Sequence, residues 1–162
     1  MVSFQSIISA FITALVTVDT QAEKHTVTFK NHCGRGTPKL IREGKVLHNG
    51  GGSYTHNGPL IAAIAYLQNG ECLLNGEKYT TLETTLKNPD SPGAGSSTDV
   101  SLIPPHKFNV AVGFRYANGC DGVGNRCGSA SCCPKGAFCK PDDYECQRQC
   151  QVKNVDLVVT FC

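Results

Sequence analysis

Leu82–Phe114 reads LETTLKNPDSPGAGSSTDVSLIPPHKFNVAVGF. It holds three alternating segments. In the first, Leu82, Thr84 and Leu86 share one face, with Glu83, Thr85 and Lys87 on the other. In the second, Val100 and Leu102 oppose Asp99, Ser101 and Ile103. In the third, Phe108, Val110, Val112 and Phe114 oppose Lys107, Asn109, Ala111 and Gly113. Period-two alternation is the pattern of half-buried strands, so the stretch predicts three of them. Asn88–Ser97 is rich in Pro, Gly and Ser and reads as a surface loop, and Pro104-Pro105 ends the middle strand. The alternation also sets Glu83 and Asp99 away from their apolar neighbours. Two carboxylates on the wet face of a sheet are a candidate site, although any soluble sheet presents such groups to water.

The same pattern recurs outward from this stretch. His25–Asn31 carries Val27 and Phe29 on one face and reads as a first strand, ending at Cys33 and the turn Gly34-Arg35-Gly36. Lys39–Leu47 predicts a hairpin with Arg42-Glu43-Gly44-Lys45 at its tip. Asn49–Ser53 is flexible by composition. Its glycines lead into no helix and lack the Gly-Lys-Ser/Thr of a phosphate loop. Pro59–Leu67 is apolar almost throughout and lies between Asn57-Gly58 and Asn69-Gly70, which favours a buried strand over a helix. Asn75-Gly76, between Leu73-Leu74 and Glu77-Lys78-Tyr79, predicts a two-residue hairpin. Val155–Cys162 returns to alternation, with Val155, Leu157, Val159 and Phe161 on one face. The chain is thus all-β, a sandwich or barrel. Asn118–Cys150 is a Cys-rich insertion before the last strand; it has few aliphatics and must be stapled.

Residues 1–22 have the pattern of a secretory signal peptide, with an apolar Ile7–Val18 and Thr20-Gln21-Ala22 at the cleavage point. The apolar run is too short for a membrane span. Residues 23–162 then form one domain of ordinary size. The net charge is +2 and scattered, which argues against nucleic acid or an anionic membrane as a partner. Ten cysteines, at 33, 72, 120, 127, 132, 133, 139, 146, 150 and 162, follow the signal. An even count in an exported chain reads as five disulfides rather than a zinc site. No Asn-x-Ser/Thr acceptor is present. The five histidines show no helical metal-ligand spacing and no Gly-x-Ser-x-Gly elbow exists, so neither metal, cofactor nor nucleophilic catalysis is expected.

Several segments together carry a family resemblance: T-V-T-F-K-N-H-C near the start, T-L-E-T-T-L, S-T-D-V-S-L-I, K-F-N-V-A-V-G-F, N-G-C-D-G, and V-V-T-F-C at the end. They resemble thaumatin-like proteins, in particular the short secreted forms of fungi often called glycopeptides. The resemblance covers most of residues 23–162. It implies a flattened antiparallel β-sandwich in which the first and last cysteines, Cys33 and Cys162, pair. Loop-closure entropy values so long a link at about 5 kcal/mol. Cys132-Cys133 and Cys139-Lys140-Pro141-Asp142-Asp143-Tyr144 resemble the family's small domain. The cysteine spacing is also similar to hevein-type chitin-binding modules, with Phe138 at a stacking position.

The family's acidic cleft implies sugar-binding roles for Glu83 and Asp99, with Asp121 of Gly119-Cys120-Asp121-Gly122 as a third member by proximity. The family's late Asp and its Arg have no counterpart here. The resulting expectation is a monomeric, secreted protein that binds cell-wall polysaccharide, foremost β-1,3-glucan, with little or no catalysis. Tyr54, Tyr66, Tyr79 and Tyr116 would supply stacking faces. The alternatives are a secreted interaction protein (a hydrolase inhibitor, an antifungal or a host-directed effector), a low-activity endo-β-1,3-glucanase using the same carboxyl pair, and a chitin-binding module.

Overall fold

The computed structural model describes residues 22–70 and 73–162. Nearly all of the expected signal peptide, residues 1–21, lies outside the described residues, as do Glu71 and Cys72. Eleven strands follow in chain order: β1 (Lys24–Asn31), β2 (Thr37–Arg42), β3 (Lys45–Asn49), β4 (Gly52–Asn57), β5 (Leu60–Gln68), β6 (Thr81–Leu86), β7 (Ser96–Ser101), β8 (Val112–Ala117), β9 (Gly124–Cys127), β10 (Arg148–Cys150) and β11 (Asp156–Phe161). They build a β-sandwich of two sheets, one ordered β4-β1-β11-β8-β9 and the other β10-β7-β6-β5-β2-β3.

The alternating apolar residues meet between the layers. Val27 and Phe29 of β1, Leu157, Val159 and Phe161 of β11, and Val112 and Phe114 of β8 face Leu40 of β2, Leu82 and Leu86 of β6, and Val100 of β7. Burying a side chain of this size contributes about 1.5–3 kcal/mol. One strand pair departs from the antiparallel rule. β1 and β11 run parallel, Val27 beside Leu157 and Phe29 beside Val159. Both strands therefore finish at the same end of the sheet, where Cys33 and Cys162 are bonded with Cα atoms 5.2 Å apart across 129 residues of chain.

The β2–β3 hairpin turns on Glu43 and Gly44, both at positive φ (50° and 72°), the conformation of a tight two-residue hairpin turn. Pro59–Leu67 contributes β5 rather than a helix. Three local expectations are corrected. Asn75-Gly76 makes turns but no hairpin: Gly76 N donates to Leu73 O and Tyr79 N to Gly76 O, while β5 pairs with β6 across the whole loop. Leu73 and Leu74 find no partner strand and stay exposed. The third alternating segment enters a strand only at Val112. Before it, Thr80 and Asn109 hold the chain as a loop, Thr80 N donating to Asn109 Oδ1 and Thr80 Oγ1 to Val110 O. The chain thereby crosses from one layer to the other, and β8 pairs with β11 instead of β7. Finally, the glycine run opens into β4, which pairs with β1, His56 opposite His25 and Tyr54 opposite Val27.

The insertion is stapled by Cys120–Cys150, Cys127–Cys132 and Cys133–Cys139. Its Phe138 exchanges backbone hydrogen bonds with the end of β7, donating to Val100 O and accepting from Leu102 N. Four disulfides are therefore present among the described residues, against the five expected. Cys146 is unpaired and buried. Among the described residues no helix is long and apolar enough to cross a membrane.

Candidate functional site

β6 and β7 pair antiparallel with Glu83 directly opposite Asp99. Leu82 and Val100 point into the core, so both carboxyls lie on the outer face of the six-stranded sheet. Like charges directly opposite on one face of a sheet repel, and here the two groups differ in burial. Glu83 keeps 47% of its side chain exposed, whereas Asp99 is 8% exposed. What covers Asp99 comes from the insertion. β10 pairs with β7, Arg148 beside Thr98, and this brings the preceding Gln147 to the cleft that Asp99 lines. The Asp99 Oδ1 atom is buried without a hydrogen-bond partner. Burial first, then the Glu83 charge, push the Asp99 carboxyl up to about 7, against a smaller opposing pull from Gln147. Near neutral pH the Asp99 carboxyl is thus on the edge of ionising.

The surroundings form a cleft of about 280 Å³ lined by Ala62, Ile64, Glu83, Thr85, Ser97 and Asp99, with Gln147 at its rim. His106 stands at the Glu83 end, its Nε2 4.0 Å from Glu83 Oε1. Its other ring nitrogen lies 3.1 Å from Gly76 O and 3.0 Å from Thr81 Oγ1, which fixes the ring. Beneath the floor, Thr84 Oγ1 and Thr98 Oγ1 are 2.6 Å apart, and the Tyr116 hydroxyl reaches both Thr98 Oγ1 and Arg148 O. That buried chain locks β6, β7 and β10 together under the carboxyl pair. Burial pushes the Tyr116 hydroxyl up to about 12, so it acts as a structural donor. The Cys146 thiol, one residue before Gln147, is likewise pushed up to about 12, by burial and then by Asp99, and is no nucleophile at neutral pH.

Of the residues expected from sequence, Glu83 and Asp99 are brought together. Asp121 is not: it lies exposed in the turn between β8 and β9, which belong to the other sheet. The four tyrosines expected to offer stacking faces do not do so. Tyr66, Tyr79 and Tyr116 are 2%, 5% and 0% exposed, and Tyr54 is half-buried between His48 and His56. Phe138 is buried as well, so the aromatic platform of a chitin-binding module is missing at that position. Gln147 and His106 belong to the site without having been singled out for it. Among the described residues no cluster of His, Cys, Asp and Glu has the arrangement of a metal site.

Side by side on adjacent strands, with Cβ atoms of such pairs about 5 Å apart, the two carboxyls present acceptors to one side of a ligand. The exposed Glu83 carboxyl can accept from a hydroxyl placed in the cleft, whereas Asp99 Oδ1 is closed off from it. No protein-family model matches the chain, and the search of curated proteins finds no match.

Proposed function

We propose that the chain is an exported thaumatin-like protein that binds cell-wall polysaccharide, with β-1,3-glucan the first ligand to test, on the outer face of its six-stranded sheet. One observation carries the reading: Glu83 and Asp99 stand opposite each other in a cleft on the outer face of the sheet, with Glu83 half exposed. The all-β sandwich and the four disulfides support an extracellular protein of this kind. The test is cosedimentation of the oxidised protein with insoluble β-1,3-glucan. The wild type is expected in the pellet and the Glu83→Ala/Asp99→Ala double variant in the supernatant. A wild type that stays in solution, or a double variant that sediments equally, refutes the proposal.

A second reading, weak glucan hydrolysis, is favoured by the Asp99 carboxyl alone. A group pushed up to about 7 beside an ionised carboxylate is the acid–base division that glycoside cleavage uses. Against it, the pair lies side by side on one floor rather than flanking a bond. Release of reducing ends from β-1,3-glucan, abolished in Asp99→Asn, is the result that would favour hydrolysis over binding.

A further inference from the structure

The outer face of the five-stranded sheet, opposite the acidic pair, carries the reverse charge. Asp156 is the only acidic residue in its five strands, while Lys30, Arg115 and Arg126 alternate with the core residues and point outward. The register gathers these cations. Lys30, Thr160, Gly113 and Arg126 stand side by side in one row across β1, β11, β8 and β9. Arg115, two residues along β8 from Gly113, is the diagonal neighbour of Arg126, about 7–8 Å away and within reach of so long a side chain. Asp156 lies diagonal to Arg115 on the other side, and its Oδ1 is taken by Thr26 N at 2.7 Å. Among the described residues the side chains of Arg115 and Lys30 have neither a hydrogen bond nor an ion pair.

Gly113 opens a hollow in the row. The Arg126 stem runs past it, so that a Cβ at position 113 would lie 3.3 Å from Arg126 Cβ and Cγ. The gap is a cavity of about 220 Å³ lined by Gly113, Arg115, Asn125, Arg126 and Thr160. A water molecule takes about 30 Å³ of liquid, so a carboxylate fits. Arg126 Nη2 donates to Cys162 O at 3.3 Å, which steadies the guanidinium and leaves its remaining N–H groups for another acceptor.

What the face lacks narrows the occupant. Phe29, Phe114, Tyr116 and Phe161 of these strands are all in the core, and the outward Val158 is only 9% exposed. Protein interfaces centre on apolar and aromatic anchors, and single-stranded nucleic acid needs aromatic stacking faces; neither is offered. Hydroxyls are offered. On the β4 side of the row, Thr26 Oγ1 lies 3.0 Å from Thr55 Oγ1, and Thr28 Oγ1 lies 2.8 Å from Ser53 Oγ, both pairs exposed. Cations beside hydroxyls suit a sugar chain that carries carboxylates.

We propose that this face binds an acidic polysaccharide built of uronic-acid units. One carboxylate enters the Gly113 hollow and accepts charge-assisted hydrogen bonds from Arg115 and Arg126. A second, farther along the same chain, pairs with Lys30, about 14 Å from Arg126 at the usual strand spacing. The site is independent of the glucan reading. It lies on the other sheet, and the Glu83–Asp99 cleft would repel the ligand that this face attracts.

Calorimetric titration of the oxidised protein with hexagalacturonate at low ionic strength tests it. The wild type is expected to bind, and Arg115→Ala/Arg126→Ala to bind about tenfold more weakly. Lys45→Ala/Lys107→Ala removes the same charge from exposed positions in β3 and in the loop before β8, and should stay within about twofold of wild type. Monomeric galacturonate, unable to span the hollow and Lys30, should bind about tenfold more weakly than the hexamer. Neutral glucohexaose should not displace it. A wild type without affinity for hexagalacturonate overturns the proposal, as does equal affinity of wild type and the arginine double variant. Equal losses in the two double variants overturn it too, because net charge alone would then account for binding. A monomer as tight as the hexamer, or displacement by glucohexaose, likewise refutes a face that reads an acidic chain. Each of these results leaves the β-1,3-glucan test of the acidic cleft standing, and failure of that test leaves this proposal standing.

Discussion

Replacing Asp99 by Asn should make the protein more stable at pH 8, by a smaller margin at pH 5, and leave it nearly unchanged only below about pH 4. The carboxyl's ordinary value is 3.8, and in the folded protein it is pushed up to about 7. Below 3.8 the group is protonated whether the chain is folded or not. Between the two values the folded state holds a proton that the unfolded state has released, so stability falls as pH rises. Above about 7 both states are ionised and the whole penalty is present. Each pH unit between the two values is worth 1.36 kcal/mol, which bounds the penalty at about 4 kcal/mol. Asp99 is 8% exposed, so solvent screens little of it. A change of about 2–4 kcal/mol is therefore the scale to look for.

Asn keeps the shape and the hydrogen-bonding capacity toward Gln147 but carries no charge. The assay is urea or thermal unfolding of wild type and Asp99→Asn at half-unit steps from pH 5 to 8, with disulfides intact. His56, held below its usual value mainly by burial, contributes the opposite slope, its share of stability falling away as the pH drops. That slope is common to both proteins and cancels in their difference. The difference should open with rising pH in favour of Asn. Glu83→Gln removes the second cause of the Asp99 shift, so its own pH slope should be shallower than wild type. Parallel profiles for wild type and Asp99→Asn, differing by less than about 0.5 kcal/mol across the range, would refute the reasoning.

Two further outcomes test the frame around the site. Cys146 should resist alkylation in the folded protein at pH 8, because burial holds its thiol at about 12, and should be labelled in guanidinium without reductant, read by peptide mapping at that residue; labelling of Cys146 in the native state, or none after unfolding, contradicts a buried unpaired thiol. Gly124→Ala should cost about 2 kcal/mol or more in the same unfolding assay, since a Cβ there would strike Phe114 O and Arg115 Cα of β8; an unchanged midpoint would show that the β8–β9 approach is looser than described.

How much of this was legible beforehand depends on where each residue's environment is decided. Alternation found β1, β6, β7 and β11 because each buries one face in the shared core. It missed β4, an edge strand in which Tyr54 and His56 are half-buried and Gly52, Ser53, Thr55 and Asn57 are exposed. The Asn75-Gly76 turn chemistry was read correctly at the level of the turn and wrongly at the level of the hairpin, because pairing depends on a partner that Leu73-Leu74 lack. Glu83 and Asp99 were legible since their face follows from a period of two. Their being directly opposite was not, because register is set by the whole β6–β7 pair. Asp121 belongs to the pair only if the chain stays in one layer, and the change of layer between β7 and β8 puts it on the other sheet. Gln147 owes its position to Cys120–Cys150 and to the Phe138 backbone bonds, long-range facts that no local pattern contains.

The carboxyl pair is also where the levels of the structure disagree with one another, and that disagreement bears on function. Every neighbouring choice favours the sheet: Leu82 and Val100 inside, Thr84 bonded to Thr98 beneath, Tyr116 tying in β10. On the outer face the same strands set two acids opposite each other, bury one, and leave one of its oxygens without a partner. Asn at position 99 would remove the charge conflict without a change of shape, so stability alone does not account for the acid. Local conflict inside an otherwise consistent fold is expected at sites kept for what they bind. The insertion sharpens the point. It covers Asp99 enough to raise its carboxyl, yet stops short of satisfying it.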